Sequence, residues 1–83
     1  MKVQVRYFAA LREALGPAES VEVEPGASIA VLRSRLLARS ARHAELLAPG
    51  RAVRCALDQR LADEQALLAD GAEVAFFPPV TGG

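Results

Sequence analysis

The stretch that decides the fold reads Glu73-Val74-Ala75-Phe76-Phe77-Pro78-Pro79-Val80-Thr81-Gly82-Gly83. After its first residue, the opening five-residue segment is apolar on both faces, which is typical of a strand at the centre of a sheet. Proline has no backbone N–H and favours extended backbone, so the diproline ends the strand and projects the chain. The two glycines carry no side chain that would obstruct a narrow channel. These features predict a folded domain over residues 1–77 and an extended, flexible tail over 78–83.

Four earlier segments complete the predicted sheet. Residues 2–7 and 19–24 alternate apolar and polar side chains, the period-2 pattern of strands with one buried face. The same alternation returns at 53–57, and a turn at 58–59 leads to a short fourth strand at 61–62. The C-terminal strand is therefore the fifth.

Helical spacing predicts one main helix and two shorter helical segments. Ser28 is a suitable N-cap for the main helix. The apolar stripe of that helix consists of Ile29, Leu32, Leu36 and Leu37. The opposite, polar face is assigned Arg33, Arg35 and Arg39. The shorter segments are 8–15 and 41–48. This order of elements predicts an α+β fold with a mixed sheet of about five strands and one main helix packed on one face.

Composition excludes several classes of function. The 83 residues and 8.8 kDa suit one small domain, and ten basic residues balance ten acidic ones, so we expect no nucleic-acid or membrane partner. The N-terminus alternates in polarity, unlike a signal peptide, and no apolar run reaches membrane-spanning length. Cys55 cannot form an internal disulfide alone, nor a four-ligand zinc site with His43. We therefore expect a cytoplasmic protein without a metal site.

The diglycine suggests chemistry at the carboxylate of Gly83. A carboxylate is a poor acyl donor, so reaction there requires activation, most simply as an acyl-adenylate made from ATP. Attack by a sulfur donor would then release AMP and leave a thiocarboxylate, whose sulfur is a nucleophile. No glycine-rich phosphate loop is present, so we expect ATP to be bound and consumed by an activating enzyme, with no cofactor bound by this chain.

A family resemblance rests on four segments spread along the chain. They are Val5-Arg6-Tyr7-Phe8-Ala9, Leu11-Arg12-Glu13, Asp70-Gly71 and the stretch from Glu73 to Gly83. The chain resembles the small, sulfur-carrier subunit of molybdopterin synthase, a ubiquitin-like β-grasp family. The resemblance implies a β-grasp fold and a heterotetramer in which two small subunits flank a dimer of large subunits.

The resemblance also implies a reaction sequence and three partners. A ubiquitin-activating-type adenylyltransferase adenylates Gly83, and a sulfurtransferase or desulfurase supplies the sulfur of the thiocarboxylate. The tail then enters the large subunit of molybdopterin synthase and gives its sulfur to cyclic pyranopterin monophosphate. The chain would act as a carrier and would not be catalytic alone.

The same resemblance implies a partner-binding surface. Its predicted members at the tail exit and along the tail are Phe8, Leu61, Phe77, Pro78, Pro79, Val80, Thr81 and Gly82. The alternative is that Phe8, Leu61 and Phe77 belong to the core. Phe76 and Phe77 are adjacent in a strand and must point to opposite faces of the sheet, so we expect one to meet the helix and the other a partner.

Two positions depart from the family pattern, and several others carry no predicted role. Relatives often have Asn where this chain has Asp58, and a second acid where it has Ala72, which puts local turn contacts and partner affinity in question. Cys55 alternates in phase with buried positions and is interpreted as a packed thiol. His43 is interpreted as a surface residue without a carboxylate neighbour. Arg35, Arg39 and Arg42 are interpreted as a solvated helical face.

Two other functions remain open from the sequence. A sulfur carrier for thiamine or another thio-metabolite would share the fold and the diglycine. A ubiquitin-like protein modifier or interaction module would use Gly83 to form isopeptide bonds, or would dock through its sheet.

Overall fold

The computed structural model describes residues 1–79 and contains five strands and three helices within that range. In chain order these are β1 (Lys2–Tyr7), α1 (Ala9–Leu15), β2 (Ala18–Glu22), α2 (Ile29–Leu37), α3 (Ala41–Leu46), β3 (Arg54–Leu57), β4 (Arg60–Ala62) and β5 (Glu73–Phe77). The strands form one mixed sheet in the order β2-β1-β5-β3-β4. β1 and β5 are parallel, and the other pairs are antiparallel. The predicted α+β sheet and the central position of the C-terminal strand are confirmed.

Alternation in the strands separates a covered face from an open face. The paired residues Tyr7 and Phe76 both point toward the helices, are almost fully buried, and stack with ring centroids 6.4 Å apart. The rest of the buried apolar core comprises Val3, Val5, Leu11, Val21, Val23, Ala27, Ile29, Leu32, Leu36, Leu47, Cys55, Leu68, Ala72 and Val74. Small aliphatic side chains therefore fill most of the space between sheet and helices.

The helices begin largely where the sequence indicates. The Ser28 side chain caps α2 by accepting a hydrogen bond from the backbone N–H of Val31 at 3.3 Å, as predicted. α1 and α3 confirm the two shorter helical segments, although α3 ends at Leu46. The second strand begins one residue earlier and ends two residues earlier than the predicted 19–24. In the described part of the chain, no helix has the length and apolar composition to cross a membrane.

The placement of Arg33 on the polar face of the main helix was wrong. Its side chain is buried, and its guanidinium donates to the carbonyls of Leu47 at 2.7 Å and Ala48 at 2.8 Å. It also donates to the Glu64 carboxylate at 2.6 Å. Position 33 lies at the flank of the apolar stripe, where the chain after α3 covers it. Arg33 therefore joins α2 to two later segments.

The three arginines predicted to share a solvated helical face belong to different segments. Arg35 lies on α2 and pairs with Glu24. Arg39 follows the end of α2, pairs with Glu19 and donates to the carbonyl of Ser20 at 3.1 Å. Arg42 lies on α3. The prediction of a shared helical face was wrong, because α2 ends at Leu37 and its helical period does not extend to residues 39 and 42.

His43 is not the isolated surface residue that the sequence suggested. Its Nε2 lies 2.8 Å from the Glu19 carboxylate, and its Nδ1 lies 2.7 Å from the hydroxyl of Ser40. The Tyr7 hydroxyl donates to the same carboxylate at 2.6 Å, and Arg39 completes the group. Side chains from β1, from the end of α2 and from α3 thus converge on one residue of β2.

These contacts change the acidity of two groups in the Glu19 cluster. Burial alone would raise the pKa of the Glu19 carboxyl, but hydrogen bonds from Tyr7 and His43, together with Arg39, lower it below its usual value. Burial and the neighbouring carboxylate raise the pKa of Tyr7 far above its ordinary range. The tyrosine therefore stays a hydrogen-bond donor and Glu19 stays ionised near neutral pH.

Glu19→Gln tests the contribution of the ionised carboxylate to stability. A carboxyl whose pKa is lowered by folding stabilises the protein above its unfolded pKa, and this stabilisation is lost as pH falls through the folded pKa. At pH 7 we expect the variant to lose about 2 kcal/mol of unfolding free energy in urea titrations. As the pH falls below about 4.5 and through the lowered pKa of Glu19 in the folded protein, the difference in unfolding free energy from the wild type should narrow. A gap that stays constant with pH would contradict the ionised role.

Arg33→Met tests the buried guanidinium. The substitution preserves volume but leaves two carbonyls and the Glu64 carboxylate without their donor, so we expect a loss of about 3 kcal/mol in unfolding free energy. Arg35→Met on the same helix is the matched control, because its guanidinium is half-exposed, and its cost should stay below about 1 kcal/mol. Equal losses of unfolding free energy in the two variants would show that the burial of Arg33 adds nothing to stability.

Candidate functional site

The face of the sheet that the helices leave uncovered carries a row of residues in register. Arg6 pairs with Ala75, Ala75 with Ala56, and Ala56 with Leu61 across β1, β5, β3 and β4. Cross-strand partners point to the same face of a sheet. Because two central positions of the row are alanines, the surface dips between larger side chains at its ends.

An open groove of about 600 Å³ lies in this dip and runs along β5, from Glu73 at the start of the strand to the prolines that follow its end. Its lining residues are Arg6, Phe8, Ala9, Ala56, Gln59, Glu73, Ala75, Phe77, Pro78 and Pro79. The walls are mainly apolar, with polar groups at the margin. Such a groove can accept an apolar side chain, and a fully buried one contributes about 2 kcal/mol.

The structure brings four of the predicted partner-binding residues together in the groove. Phe8 is 40% exposed, although large apolar side chains are usually buried. Phe77, Pro78 and Pro79 are each half-buried, so the first two tail residues lie against the domain. Phe76 is 1% exposed and lies among the core, so the adjacent phenylalanines do point to opposite faces.

The remaining predicted site residues lie elsewhere. Leu61 is 70% exposed and shares the open face through its pairing with Ala56, which excludes the core alternative for it. It lines a separate cavity of about 530 Å³ and not the groove. The predicted tail positions Val80, Thr81, Gly82 and Gly83 lie outside the described residues.

The sequence reasoning missed the polar margin of the groove. Arg6 and Glu73 form an ion pair across β1 and β5, with 3.5 Å between nitrogen and oxygen. Gln59 borders the same groove from the turn after β3. The outward phase of Arg6 was visible in the alternation of residues 2–7. Its pairing with Glu73 was not, because that depends on the register of two strands far apart in the chain.

The two departures from the family pattern have local explanations. Asp58 and Gln59 both have positive φ, 48° and 71°, as a tight two-residue hairpin requires. The Asp58 carboxylate accepts a hydrogen bond from the backbone N–H of Glu73 at 3.0 Å, which fixes the turn against β5. Ala72 is 5% exposed, so a small apolar residue suits this position better than an acid.

Cys55 is a packed thiol, as predicted. It is 6% exposed, and its Sγ–H donates to the carbonyl of Ala62 at 3.2 Å. Burial is the main cause that raises the pKa of the Cys55 thiol. In residues 1–79 no three His, Cys, Asp or Glu side chains are grouped as a metal site would require.

Comparison with known proteins places the chain in a family. A sequence model described as the ThiS family matches residues 5–83. The chain is similar to the molybdopterin synthase sulfur carrier subunit of Escherichia coli K12, with 38% identity over 98% of this chain and 99% of the relative. It is 39% identical to the protein of the same name from Mycobacterium tuberculosis H37Rv, over 100% of this chain and 99% of the relative.

Solved structures share the fold. The chain superposes on a chain in the protein-protein complex of subunits 1 and 2 of the molybdopterin-converting factor from Helicobacter pylori 26695. The TM-score is 0.71 with 26% identity, covering 100% of both chains. It also resembles SAMP1 from Haloferax volcanii, with a TM-score of 0.75, 25% identity and 100% coverage of both chains. With its five-stranded β-grasp sheet and a family match that extends from residue 5 to residue 83, the chain belongs to the ThiS family.

Proposed function

We propose that this chain is a sulfur carrier subunit of molybdopterin synthase. The observation that carries the proposal is the 38–39% identity, over nearly the full length of both chains, to two proteins of that name. The groove along β5, which reaches Pro78 and Pro79, supports it, because a carrier needs a docking surface that extends to the residue from which its reactive tail departs.

The proposed chemistry takes place at the carboxylate of Gly83. A ubiquitin-activating-type adenylyltransferase joins it to AMP and releases pyrophosphate from ATP. A sulfurtransferase or desulfurase then supplies sulfur as a persulfide, whose outer sulfur forms a C–S bond to Gly83 while the C–O bond to AMP breaks. A thiol then attacks the S–S bond of the resulting acyl disulfide, which leaves a thiocarboxylate and a disulfide.

In the large subunit this sulfur attacks a carbon of cyclic pyranopterin monophosphate, and a C–O bond at that carbon breaks. Hydrolysis of the acyl C–S bond then leaves the sulfur on the pterin and restores the Gly83 carboxylate. ATP is bound by the activating enzyme and not by this chain. We propose that all of these reactions take place in the cytoplasm.

The proposed docking surface for the large subunit is the groove with Leu61 beside it. Exposed Phe8 and half-buried Phe77 supply apolar area at the tail exit, and the Arg6–Glu73 pair borders the groove with opposite charges. An apolar centre with a polar margin is the usual composition of a protein interface. The Helicobacter pylori complex supports this proposal, since its two chains are subunits of one converting factor.

The likeness to SAMP1 of Haloferax volcanii and to the small archaeal modifier protein 1 (SAMP1) of Methanosarcina acetivorans favours protein modification as a second candidate. In that case the activated Gly83 would form an amide with a lysine of another protein instead of receiving sulfur. A sulfur carrier for thiamine or another thio-metabolite would form the same thiocarboxylate at Gly83 but would transfer its sulfur to a different acceptor.

The first prediction from this proposal concerns charging. We expect the N-terminally tagged chain, incubated with ATP, its adenylyltransferase and a sulfur donor, to gain the mass difference of one sulfur replacing one oxygen. The measurement is intact-protein mass spectrometry, and deletion of Gly83 should abolish the gain. Amide-linked conjugates in place of this mass gain would support the modifier function. If this chain gains no sulfur while a reference carrier in the same mixture does, the proposal is contradicted.

The second prediction concerns docking. Phe8→Ala removes exposed apolar area from the groove, and we expect affinity for the large subunit to fall about 10- to 100-fold by calorimetric titration. Leu67→Ala is the matched control, because Leu67 is 68% exposed but lies outside the groove. If both variants bind as the wild type does, docking uses another surface.

A further inference from the structure

Two residues that line the groove have a left-handed backbone without being glycine. Ala9 has φ 54° and Gln59 has φ 71°, and among residues 1–79 only Asp58 shares this property. The conformation is sterically unfavourable for an L-residue, whereas glycine adopts it readily. Backbone strain of this kind is concentrated at functional sites. At two positions of the groove, the fold therefore carries a side chain where glycine would be more stable.

Ala9 makes the turn at the end of the groove where the tail begins. Phe8 before it is still extended, with φ −129° and ψ 157°, and its N–H donates to the carbonyl of Phe76 at 3.2 Å. Because Tyr7 is buried under the helices, the alternation of the strand directs Phe8 to the open face. The left-handed residue then turns the chain into α1, whose Leu11 is buried. Ala9 thus adds an exposed methyl group to the groove next to Phe8.

Gln59 lies at the other end of the groove, near the start of β5. The backbone N–H of Asp58 donates to the carbonyl of Glu73 at 2.8 Å, and the Asp58 carboxylate accepts from the N–H of Glu73 at 3.0 Å. These two bonds hold the turn against β5, and the exposed Gln59 lines the groove together with the Arg6–Glu73 ion pair. This end of the groove is therefore polar, whereas the end at Ala9 is apolar.

The length and composition of the groove define the segment that fits it. The five residues of β5 extend over about 13 Å, which an extended partner segment of about four residues also spans. Ala56 and Ala75 lie between the two ends and leave room for side chains. A fitting segment has an apolar side chain at the Ala9 end and a hydrogen-bonding group at the Gln59 end.

We propose that Ala9 and Gln59 are specificity-determining residues of the docking surface and contact one segment of the large subunit at the two ends of the groove. This inference rests on the proposed function, which makes the large subunit the partner. The methyl group of Ala9 packs against an apolar side chain of the segment. The amide of Gln59 forms a hydrogen bond with a polar group at its other end. Stability favours glycine at both positions, whereas docking requires the side chains.

Substitution by glycine tests whether stability and docking oppose each other. Ala9→Gly and Gln59→Gly retain the left-handed turns without their steric cost, so we expect the folding equilibrium constant from urea titrations to rise about threefold in each. Their affinity for the large subunit should fall about three- to tenfold in calorimetric titrations, because a methyl contact or a hydrogen bond is lost. A substitution that only disturbed the fold would lower the folding constant as well.

Ala9→Asn tests the apolar end of the groove more strongly. Asparagine tolerates the left-handed conformation better than most residues, so the variant should fold at least as stably as the wild type. Its amide would occupy the place where an apolar side chain of the partner packs. We therefore expect its affinity for the large subunit to fall at least about tenfold.

Ala10→Gly is the matched control for Ala9→Gly. Ala10 is the next residue of α1, is exposed, and lies outside the groove. Its φ is not positive, so glycine there only weakens the helix. We expect the folding equilibrium constant to fall about threefold and the affinity for the large subunit to stay at the wild-type value. The control thus reverses the effect on stability and removes the effect on docking.

The outcomes separate this inference from the proposed function. Glycine variants at positions 9 and 59 that bind the large subunit as tightly as the wild type would overturn the inference. If Phe8→Ala still weakens binding in that case, the proposed docking through the groove stands without contacts from these two side chains. An equal loss of affinity in Ala10→Gly would also overturn the inference. A wild-type chain that does not bind the large subunit would contradict the proposed function itself, and the inference with it.

Discussion

The parallel pairing of β1 with β5 is the constraint on which the site depends. It places the C-terminal strand inside the sheet, with Tyr7 beside Phe76, and gives both strands the same direction. The chain therefore starts at one end of the sheet and its tail departs at the other. Because β5 has neighbours on both sides, it is paired with β1 as far as Phe76 and with β3 as far as Phe77. The tail is thus attached to a strand that is paired on both sides.

Polar groups that are buried or half-buried fix the positions of the helices more closely than an aliphatic core alone would. Glu19 receives donors from three other segments, and Arg33 donates to three acceptors after α3 and β4. In residues 1–79 no buried side-chain nitrogen or oxygen lacks a hydrogen-bond partner. An unpaired group in either cluster would cost about 1–3 kcal/mol, so alternative placements of α2 and α3 are disfavoured. The Tyr7 ring that contacts Phe76 is fixed by the same cluster.

The sequence was sufficient for features that depend on local periodicity. Alternation at Val3 and Val5 and the cap at Ser28 placed the elements, and the adjacent Phe76 and Phe77 assigned one ring to each face. Arg33 and His43 were misjudged because their partners, Glu64 and Glu19, lie 31 and 24 positions away. A periodic pattern predicts whether a residue is buried from the polarity of that residue alone. It does not register a distant partner that allows an arginine or a histidine to be buried.

The groove was only partly predictable for a related reason. Phe8 and Phe77 could be assigned to it from the family pattern, whereas the Arg6–Glu73 margin depends on strand register and Leu61 proved to lie beside a different cavity. β5 and its neighbours consequently fix the point at which the tail begins, after Phe77. The proposed sulfur carrier, which would meet an activating enzyme and an acceptor in turn, needs such a fixed starting point, since one docking surface would have to orient the same tail in two different partners.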